Sequence, residues 1–567
     1  MSDSSWTRVP STTTPPPPDP SPAAPSPTPA APSPTPAAPG SVGAAAPGPV
    51  GAATPGGRAP ATPAASAHGP AAPGTASATP GAGGSRTAAQ GTDTPAAPGT
   101  TASAAPGGAR PAAPEAGLLR SLDPLLRGWL PRQRWFAGKG LPIQGFRLAA
   151  ATELMPPGGR LGPLGLLHVL VDVEQPGRPA DCYQLLLGAH PLLPSALIRS
   201  ALGPAVGGPY DGLTLYDAPH DPRLAALLLE RLSLPGRAGR LRFTAEPHAG
   251  FPPGLAPRVS TAEQSNTSVV YGDAFILKLF RRVSPGTNPD LELTLALARA
   301  GSRRVAEPVA WFESLPAGPD PDAEEPATLG VLQRFLPGSA DGWALALASV
   351  AEDGDFRSEA AALGRATAEV HASLAAALPV RALDGAALER IAAGMTRRLD
   401  ETAAEVPAVR PYAGALRSAY DDLARLAAIT RTDAPVTAQR IHGDLHLGQA
   451  LRGPDGQWVL IDFEGEPARP LAERRKPAPP VQDVAGMLRS FDYAAHHSGN
   501  GPWADRHRDA YCTGYAQVAG TDPREQPVLI RAFETDKAVY EARYEARHRP
   551  AWLPIPLSAL ARLASTT

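Results

Sequence analysis

Two neighbouring stretches decide the fold, namely Arg440-Ile-His-Gly-Asp-Leu-His-Leu-Gly-Gln449 and Val459-Leu-Ile-Asp-Phe-Glu-Gly465. The residues between them contain a Pro-Asp-Gly turn signal flanked by apolar runs, which predicts a hairpin. A hairpin would bring Asp444 and Gln449 close to Asp462, at one end of two adjacent strands. Carboxylate and amide oxygens gathered in this way are typical of a site for Mg²⁺ and phosphate groups.

The residue types in these stretches fit phosphoryl transfer. This reaction needs a carboxylate that accepts the proton of the attacking hydroxyl, oxygen ligands for Mg²⁺ and a cation on the nucleotide phosphates. We predict that Asp444 is the catalytic base and that Gln449 and Asp462 are the Mg²⁺ ligands. In protein kinases an Asn follows the catalytic Asp by five residues. Here Gln449 follows Asp444 by the same spacing (449 − 444 = 5). The pattern therefore indicates a kinase-like reaction.

Upstream, the sequence predicts a strand-rich unit that holds the nucleotide. Residues 264–273 and 274–280 are typical of two strands joined by a Gly-Asp turn, with Lys278 as the only charge in the second strand. We predict that Lys278 contacts the phosphates. A helix should begin at Asn288, a good N-cap that is followed by proline. Glu292 in this helix is expected to pair with Lys278.

The rest of the chain divides by composition. Residues 1–115 contain 27 of the 70 prolines and no Leu, Ile or Phe, which predicts a disordered tail. Short apolar runs separated by turns follow, and those at 166–173 and 183–187 predict strands. Beyond residue 337 the composition changes to long Ala/Leu/Arg helices. Three helices are expected there: 359–378, 386–405 and 413–430. A strand-rich half before a helix-rich half predicts an α+β fold with two lobes and a cleft between them.

Charge and composition exclude several classes of protein. The net charge of −2 gives no electrostatic argument for binding nucleic acid or acidic lipid. No apolar run of about 18 residues predicts a membrane span, and two cysteines give neither a disulfide framework nor a zinc pattern. The start lacks the pattern of a secretory signal. We therefore expect a soluble, cytoplasmic protein with no nucleic-acid or membrane partner.

The His-Gly-Asp form of the first stretch resembles the aminoglycoside-phosphotransferase-like kinases of small molecules, since glycine replaces the arginine of protein kinases. Within that group the sequence looks most like the actinobacterial maltokinases. The strings that carry this resemblance extend over most of residues 116–567: Arg134-Trp-Phe-Ala-Gly-Lys-Gly140, Glu263-Gln-Ser-Asn-Thr-Ser268, His442-Gly-Asp-Leu-His-Leu-Gly-Gln449, Ile461-Asp-Phe-Glu-Gly465, Asp483-Val-Ala-Gly-Met-Leu-Arg-Ser-Phe491 and Lys537-Ala-Val-Tyr-Glu541.

This resemblance implies a domain order and a reaction. It implies a cap subdomain over 116–240, a β-rich nucleotide lobe over 241–336 and a helical catalytic and acceptor lobe over 337–567. The implied reaction transfers the γ-phosphoryl group of Mg²⁺-ATP to the anomeric hydroxyl of maltose and gives maltose 1-phosphate. It would belong to a route from trehalose through maltose to α-glucan, and trehalose synthase is the implied partner.

The resemblance also implies roles for individual residues. The turn that would cover the phosphates contains Ser265, Asn266, Thr267 and Ser268. The segment from Gln333 to Phe335 would form the linker against which adenine packs. The acceptor sugar would contact His442, Asp444, Lys537 and Tyr540.

Helical spacing adds two weaker acceptor candidates, Tyr544 and His548, because steps of 3, 4 and 4 from Lys537 keep one helix face. His442 has a second interpretation, in which it orients the catalytic loop through a backbone hydrogen bond. Trp135 and Phe136 are expected in the core. The basic run at 469–476 is expected to be a solvated face without a site.

Two alternative functions stay open. A related sugar kinase, for example for glucosamine, would share the nucleotide half and differ only in the acceptor wall. An amino sugar calls for a carboxylate near its ammonium, whereas the Lys537 and Tyr540 wall is neutral to positive in sequence. A catalytically inactive kinase fold acting as a scaffold is the second alternative, suggested by the long tail.

Overall fold

The computed structural model describes residues 113–158, 161–260, 265–316, 325–429, 435–467, 469–496 and 499–565. Most of the predicted disordered tail lies outside these ranges, as do Glu263, Gln264 and Thr430. Helix α1 (Ala113–Trp129) begins inside the predicted tail. Pro114 fits there, because the first turn of a helix does not need its missing N–H group.

An antiparallel sheet follows helix α1. Its strands are β1 (Gly145–Met155), β2 (Gly165–Glu174), β3 (Asp181–His190), β4 (Ala201–Pro204) and β5 (Thr214–Asp217), in the spatial order β1-β2-β3-β5-β4. The predicted strands at 166–173 and 183–187 are confirmed as β2 and β3. Helix α2 (Pro222–Ser233) comes next, and the Asp221 side chain caps it by accepting a hydrogen bond from the Arg223 N–H.

Strand β2 is buried on both faces. Successive side chains of a strand point to opposite faces. Leu167 and Val169 belong to the apolar cluster that contains helix α1, whereas Leu166 and Leu170 belong to the cluster that contains helix α2. The strand therefore has an almost continuous apolar sequence, because a helix covers each face of the sheet.

A second antiparallel sheet holds the predicted nucleotide strands. It contains β6 (Gly236–Ala238), β7 (Leu241–Ala245), β8 (Pro257–Val259), β9 (Thr267–Tyr271) and β10 (Phe275–Leu279). The next strand, β11 (Arg282–Val283), leaves this sheet and pairs with β3 of the first sheet. Strands β12 (Pro308–Ser314) and β13 (Ala327–Arg334) complete the spatial order β6-β7-β12-β13-β10-β9-β8.

The predicted hairpin and helix of this region are confirmed. Strands β9 and β10 pair in a register that places Lys278 opposite Ser268, and Gly272 in the turn has φ +54°. Helix α3 (Pro289–Arg299) begins after Asn288, whose side chain accepts a hydrogen bond from the Asp290 N–H. The second sheet begins at Gly236, before the predicted boundary at 241, because β6 and β7 form a hairpin.

The second half of the chain is mainly helical. Its helices are α4 (Gly342–Ala351), α5 (Arg357–Ala377), α6 (Gly385–Glu405), α7 (Arg410–Ile429), α8 (Leu471–Arg474), α9 (Val481–His496), α10 (Gly501–Ala519), α11 (Pro527–His548) and α12 (Pro554–Ser565). Its short strands are β14 (Ala340–Asp341), β15 (Arg381–Ala382), β16 (Thr437–Ala438), β17 (Ala450–Arg452) and β18 (Trp458–Leu460). The three predicted helices correspond to α5, α6 and α7, and the predicted hairpin corresponds to β17 and β18.

Two glycines allow helices α5 and α10 to pack closely. A Cβ at Gly364 would lie 2.1 Å from the Tyr511 carbonyl oxygen, and a Cβ at Gly514 would lie 2.0 Å from that of Ala361. Neither position has room for a side chain, so this crossing requires glycine on both helices. None of the described helices is long and apolar enough to cross a membrane.

Candidate active site

The loop that carries Asp444 is held in place by helix α9. Asp483 in the first turn of this helix accepts hydrogen bonds from the N–H groups of His442 and Gly443, both at 2.8 Å. The ring of His371 lies 3.0 Å from the same carboxylate. Gly443 has φ +84°, a conformation that glycine adopts without strain. The backbone around Asp444 is therefore fixed before any substrate binds.

The Asp444 carboxylate has one paired and one unpaired oxygen. Its Oδ1 accepts a hydrogen bond from Lys537 Nζ at 3.0 Å, and its buried Oδ2 has no hydrogen-bond partner among the described residues. Burial acts to raise the pKa of Asp444, but the Lys537 ammonium acts against it and the pKa lies well below its ordinary value. Asp444 is therefore ionised at neutral pH, with one oxygen available to accept a hydrogen bond.

Asp462 and Gln449 lie side by side, as the predicted hairpin requires. Gln449 Nε2 donates to Asp462 Oδ2 at 2.9 Å, while the buried Gln449 Oε1 has no hydrogen-bond partner among the described residues. Asp462 has φ +64°, a left-handed conformation that aspartate tolerates better than most residues. Burial acts to raise the pKa of Asp462, but Lys278 and Gln449 hold it below its ordinary value.

Lys278 lies among three carboxylates. Its Nζ is 2.5 Å from Asp462 Oδ1, 2.7 Å from Glu464 Oε1 and 3.2 Å from Asp290 Oδ2. The prediction that Glu292 pairs with Lys278 is wrong: Asp290 takes that place, and Glu292 pairs with Arg440 at 2.7 Å. The physical reason is that residues two apart on a helix do not share a face.

Side chains of the turn before β9 point to opposite sides. Ser265, Asn266 and Ser268 line the cleft, and Asn266 Nδ2 donates to Glu464 Oε1 at 2.6 Å. The Thr267 hydroxyl instead accepts a hydrogen bond from the buried Arg281 Nε at 2.8 Å. The Thr267 side chain therefore does not line the cleft, because alternation along the strand turns it away. The contact of this turn with phosphates stays a prediction.

A cleft with an empty volume of about 810 Å³ joins these residues. Gln333 and Phe335 line it, as do Lys278, Asp462 and Gln449. Apolar side chains line it as well: Ile276, Ala306, Leu336, Leu451 and Ile461. A cleft lined by both apolar and charged groups fits a ligand with a planar base and a phosphate chain.

Asp444 lines a second pocket, which has an empty volume of about 420 Å³. Lys537 and Tyr540 line it, as predicted, together with Glu466, Arg469, Gln482, Phe533 and Asp536. Three further carboxylates line it. Glu466 Oε2 pairs with Arg469 Nε at 2.8 Å, Asp536 pairs with Arg398 at 2.7 and 2.9 Å, and Asp483 accepts hydrogen bonds from the two backbone N–H groups described above. Arg469 thus lines a pocket, contrary to the expectation of a purely solvated face.

Sequence reasoning missed several charged residues that line the two pockets or contact a lining residue: Glu464, Glu466, Arg398, Arg469 and Asp536. A signal existed for three of them. Glu464 and Glu466 follow the predicted ligand Asp462 in the same loop, and Asp536 directly precedes Lys537. Arg398 lies on helix α6, far away in sequence, and only the fold brings it to Asp536.

The aromatic side chains of α11 form a continuous row, which confirms the predicted helix face. The ring centroids of Tyr540 and Tyr544 are 6.3 Å apart, and those of Tyr544 and His548 are 4.8 Å apart. Tyr540 borders the second pocket, whereas Tyr544 and the exposed His548 continue the row beyond its lining residues.

His442 does not face the second pocket, so its assignment to the acceptor is corrected. Its Nε2 lies 2.9 Å from the Ile461 carbonyl oxygen and its Nδ1 lies 3.4 Å from the Asp444 N–H. The buried ring also packs on Phe463, with centroids 4.6 Å apart. Both ring nitrogens therefore contact backbone groups, which favours the second interpretation, that His442 orients the catalytic loop.

The Arg134–Gly140 segment packs against the first sheet. Phe136 and Trp135 are buried against Tyr183 of β3, with ring centroids 5.2 and 5.9 Å apart. The Arg281 guanidinium lies 4.9 Å from the Trp135 ring and pairs with Asp217 at 2.6 Å. Since Arg281 also contacts Thr267, the first sheet is tied directly to the turn that borders the cleft.

Comparisons with known proteins agree with this geometry. Residues 129–221 match the maltokinase N-terminal cap domain, and residues 255–521 match the phosphotransferase enzyme family (APH). A glucosamine kinase of Mycolicibacterium smegmatis is 32% identical over 335 residues, which cover 54% of this chain and 79% of that protein. A glucosamine kinase of Streptacidiphilus jiangxiensis is 30% identical over 365 residues, which cover 59% and 78%.

Solved structures share the fold. A glucosamine kinase in complex with glucosamine, ADP and inorganic phosphate aligns with a TM-score of 0.54 and 24% identity, covering 78% of this chain and 98% of that chain. A second crystal form of glucosamine kinase aligns with a TM-score of 0.56 and 23% identity, covering 78% and 99%. The two-lobed α+β fold predicted from the sequence is thereby confirmed.

Proposed function

Because this chain belongs to the phosphotransferase enzyme family and carries a maltokinase-type cap, we propose that it is a sugar kinase that uses ATP to phosphorylate maltose at its anomeric hydroxyl. The product would be maltose 1-phosphate. One observation carries the proposal: the buried Asp444, with one unpaired oxygen, lines a pocket that suits a small polar acceptor. Hydroxyl groups of a sugar would reach Asp444 from the second pocket.

Asp444 and Lys537 would act on the acceptor. The free carboxylate oxygen of Asp444 would accept a hydrogen bond from the attacking hydroxyl and take its proton as the bond to phosphorus forms. Lys537, held on the other oxygen, keeps Asp444 ionised at neutral pH and orients it. On this proposal, one oxygen would receive the proton while the other stays anchored by Lys537.

The nucleotide side has donors that suit Mg²⁺. The unpaired Gln449 Oε1 and the Asp462 carboxylate are hard oxygen ligands next to each other. Mg²⁺ usually takes one or two protein oxygens and completes its coordination with waters and phosphates. When bound, Mg²⁺ would neutralise charge on the phosphates. Lys278 would add a further positive charge there.

The choice of maltose rests on the charges of the acceptor pocket. Each of its carboxylates already contacts a cation or N–H donors: Asp444 contacts Lys537, Glu466 contacts Arg469, Asp536 contacts Arg398 and Asp483 contacts two backbone N–H groups. Paired acids and cations offer acceptors and donors to sugar hydroxyls, and Tyr540 offers an aromatic face. A neutral, polyhydroxylated acceptor satisfies such a pocket. The same proposal places the protein in the cytoplasm, where its product would feed α-glucan synthesis and the protein would associate with trehalose synthase.

Glucosamine is the second candidate acceptor. Two relatives at 30% identity or more are glucosamine kinases, and the pocket contains the carboxylates of Glu466 and Asp536, which the sequence had not placed there. An ammonium group near Glu466 would compete with Arg469 for its carboxylate. Glu466→Gln should therefore weaken binding of glucosamine far more than binding of maltose, which has no positive charge.

An acceptor panel tests the proposal. Purified protein is incubated with ATP, Mg²⁺ and either maltose, glucosamine, glucose or trehalose, and ADP formation is measured. We expect the highest kcat/KM with maltose, and no turnover by Asp444→Asn although it still binds ATP in calorimetry. A preference for glucosamine would reverse the choice of acceptor. The absence of ATP turnover with every sugar, in protein that binds ATP, would support the scaffold alternative.

A further inference from the structure

Helices α9 and α11 hold the catalytic loop from two sides. Helix α9 binds the backbone of His442 and Gly443 through Asp483, and helix α11 binds the Asp444 side chain through Lys537. The relative placement of these helices therefore sets the distance between Lys537 and Asp444. The contact between Lys537 and Asp444 thus also depends on the residues that fix the placement of the two helices.

A buried ion pair joins the two helices next to this contact. Arg489 of α9 and Glu541 of α11 have side chains that are 0% and 1% exposed, and the Arg489 Nε and Nη2 atoms both lie 2.8 Å from Glu541 Oε2. Glu541 lies four residues after Lys537, which is about one helical turn. Neighbouring opposite charges raise the pKa of Arg489 despite its burial, so it is charged at all ordinary pH values.

Small side chains form much of the apolar packing next to Glu541. The buried apolar residues that flank it on this helix include Ala538, Val539 and Ala542. One turn before Lys537, Glu534 pairs with Arg508 of α10 and Arg562 of α12. Directional ion pairs thus hold α11 on both sides of Lys537.

We propose that Arg489 and Glu541 are positioning residues, which fix the rotation of α11 against α9 and thereby place the Lys537 ammonium on Asp444. Replacing a buried ion pair by apolar residues of similar size is often neutral for stability. The pair would then contribute less to folding than to the geometry of the acceptor side. The choice of acceptor in the test rests on the proposed function, whereas the positioning itself does not.

The test compares the double variant Arg489→Met/Glu541→Leu with the wild type. Steady-state kinetics use maltose, or whichever sugar of the panel the wild type phosphorylates, so that a wrong acceptor is detected first and separately. We expect a melting temperature near that of the wild type and a KM for ATP changed less than about twofold. Because small misplacements of reacting groups are costly, kcat/KM for the acceptor should fall about a hundredfold.

Two further variants complete the experiment. Arg543→Gln lies on the same helix as Glu541 and removes partly exposed pairs with Glu401 and Glu405 of α6. It serves as the matched control, with acceptor kinetics expected to equal those of the wild type. Glu541→Asp keeps the charge but shortens the side chain, and it should raise the acceptor KM. This variant replaces the double variant in the test if the double variant does not fold. Wild-type acceptor kinetics in a folded double variant, or in Glu541→Asp if that is the folded one, would overturn the proposal.

Discussion

Replacement of Lys278 by methionine tests the charge balance of the nucleotide side. The Lys278 ammonium lies within 3.2 Å of oxygens of Asp290, Asp462 and Glu464, whose side chains are 1%, 17% and 16% exposed. Methionine has a similar length but no charge, so three carboxylates would face each other without a cation. Removing one partner of a buried ion pair costs about 3–5 kcal/mol.

The expected result is a lower melting temperature that depends on pH. At about 2–4 °C per kcal/mol, the loss corresponds to a decrease of about 6–20 °C at pH 7.5. Without the ammonium, burial should raise the folded-state pKa values of Asp290 and Asp462 above those of the unfolded chain. Folding then binds protons, so the difference from the wild type should shrink as the pH falls towards 5. Millimolar Mg²⁺ should shrink it as well.

Differential scanning fluorimetry from pH 5 to 8, with and without Mg²⁺, measures this effect. The matched control is Lys139→Met, because Lys139 is exposed and contacts only the Arg134 carbonyl oxygen in the described structure. This control should melt within about 2 °C of the wild type. Equal melting temperatures of Lys278→Met and the wild type at every pH would refute the assigned contacts of Lys278.

Three further predictions follow from named contacts. Lys537→Met should raise the pKa of Asp444, so the acid limb of the kcat/KM profile should move to higher pH in rate measurements. Burial lowers the pKa of His168 to about 4, so the folded state loses about 3 kcal/mol of stability as the pH falls from 6.5 to 4. Urea titrations of His168→Gln should lack that loss. Arg281→Met leaves a buried carboxylate unpaired and should lower the free energy of unfolding by about 3–5 kcal/mol.

Each of these predictions has a control or a contradicting outcome. An unchanged acid limb in Lys537→Met would mean that Lys537 does not control the ionisation of Asp444. For His168, the sign follows from protonation of the unfolded chain before the folded one, so a variant with the same pH dependence as the wild type would contradict it. For Arg281, the exposed neighbour Arg282 provides the control, since Arg282→Met should change stability by less than about 1 kcal/mol.

Local patterns were sufficient to predict much of the fold. The β9–β10 hairpin follows from a turn between two apolar runs, and the start of α3 follows from the Asn288 cap and the proline after it. The hairpin of β17 and β18 likewise brought Gln449 next to Asp462. These features depend on residues close together in sequence, so their signals lie in the sequence itself.

The remaining parts of the site depend on long-range contacts. Which acid of helix α3 reaches Lys278 depends on how the helix is rotated, and Asp290 rather than Glu292 faces strand β10. Glu292 finds Arg440, which is 148 residues away in sequence. The pairing of Asp536 with Arg398 spans 138 residues. No local spacing encodes such partners. The sequence therefore did not predict the paired carboxylates of the acceptor pocket.

The most direct test of the central claim is a phosphorus–proton correlation spectrum of the product formed from ATP, Mg²⁺ and maltose. The account predicts a maltose monophosphate whose phosphorus couples to the anomeric proton, formed by the wild type and absent with Asp444→Asn. Coupling to any other sugar proton, release of inorganic phosphate alone, or the same product from Asp444→Asn would contradict it.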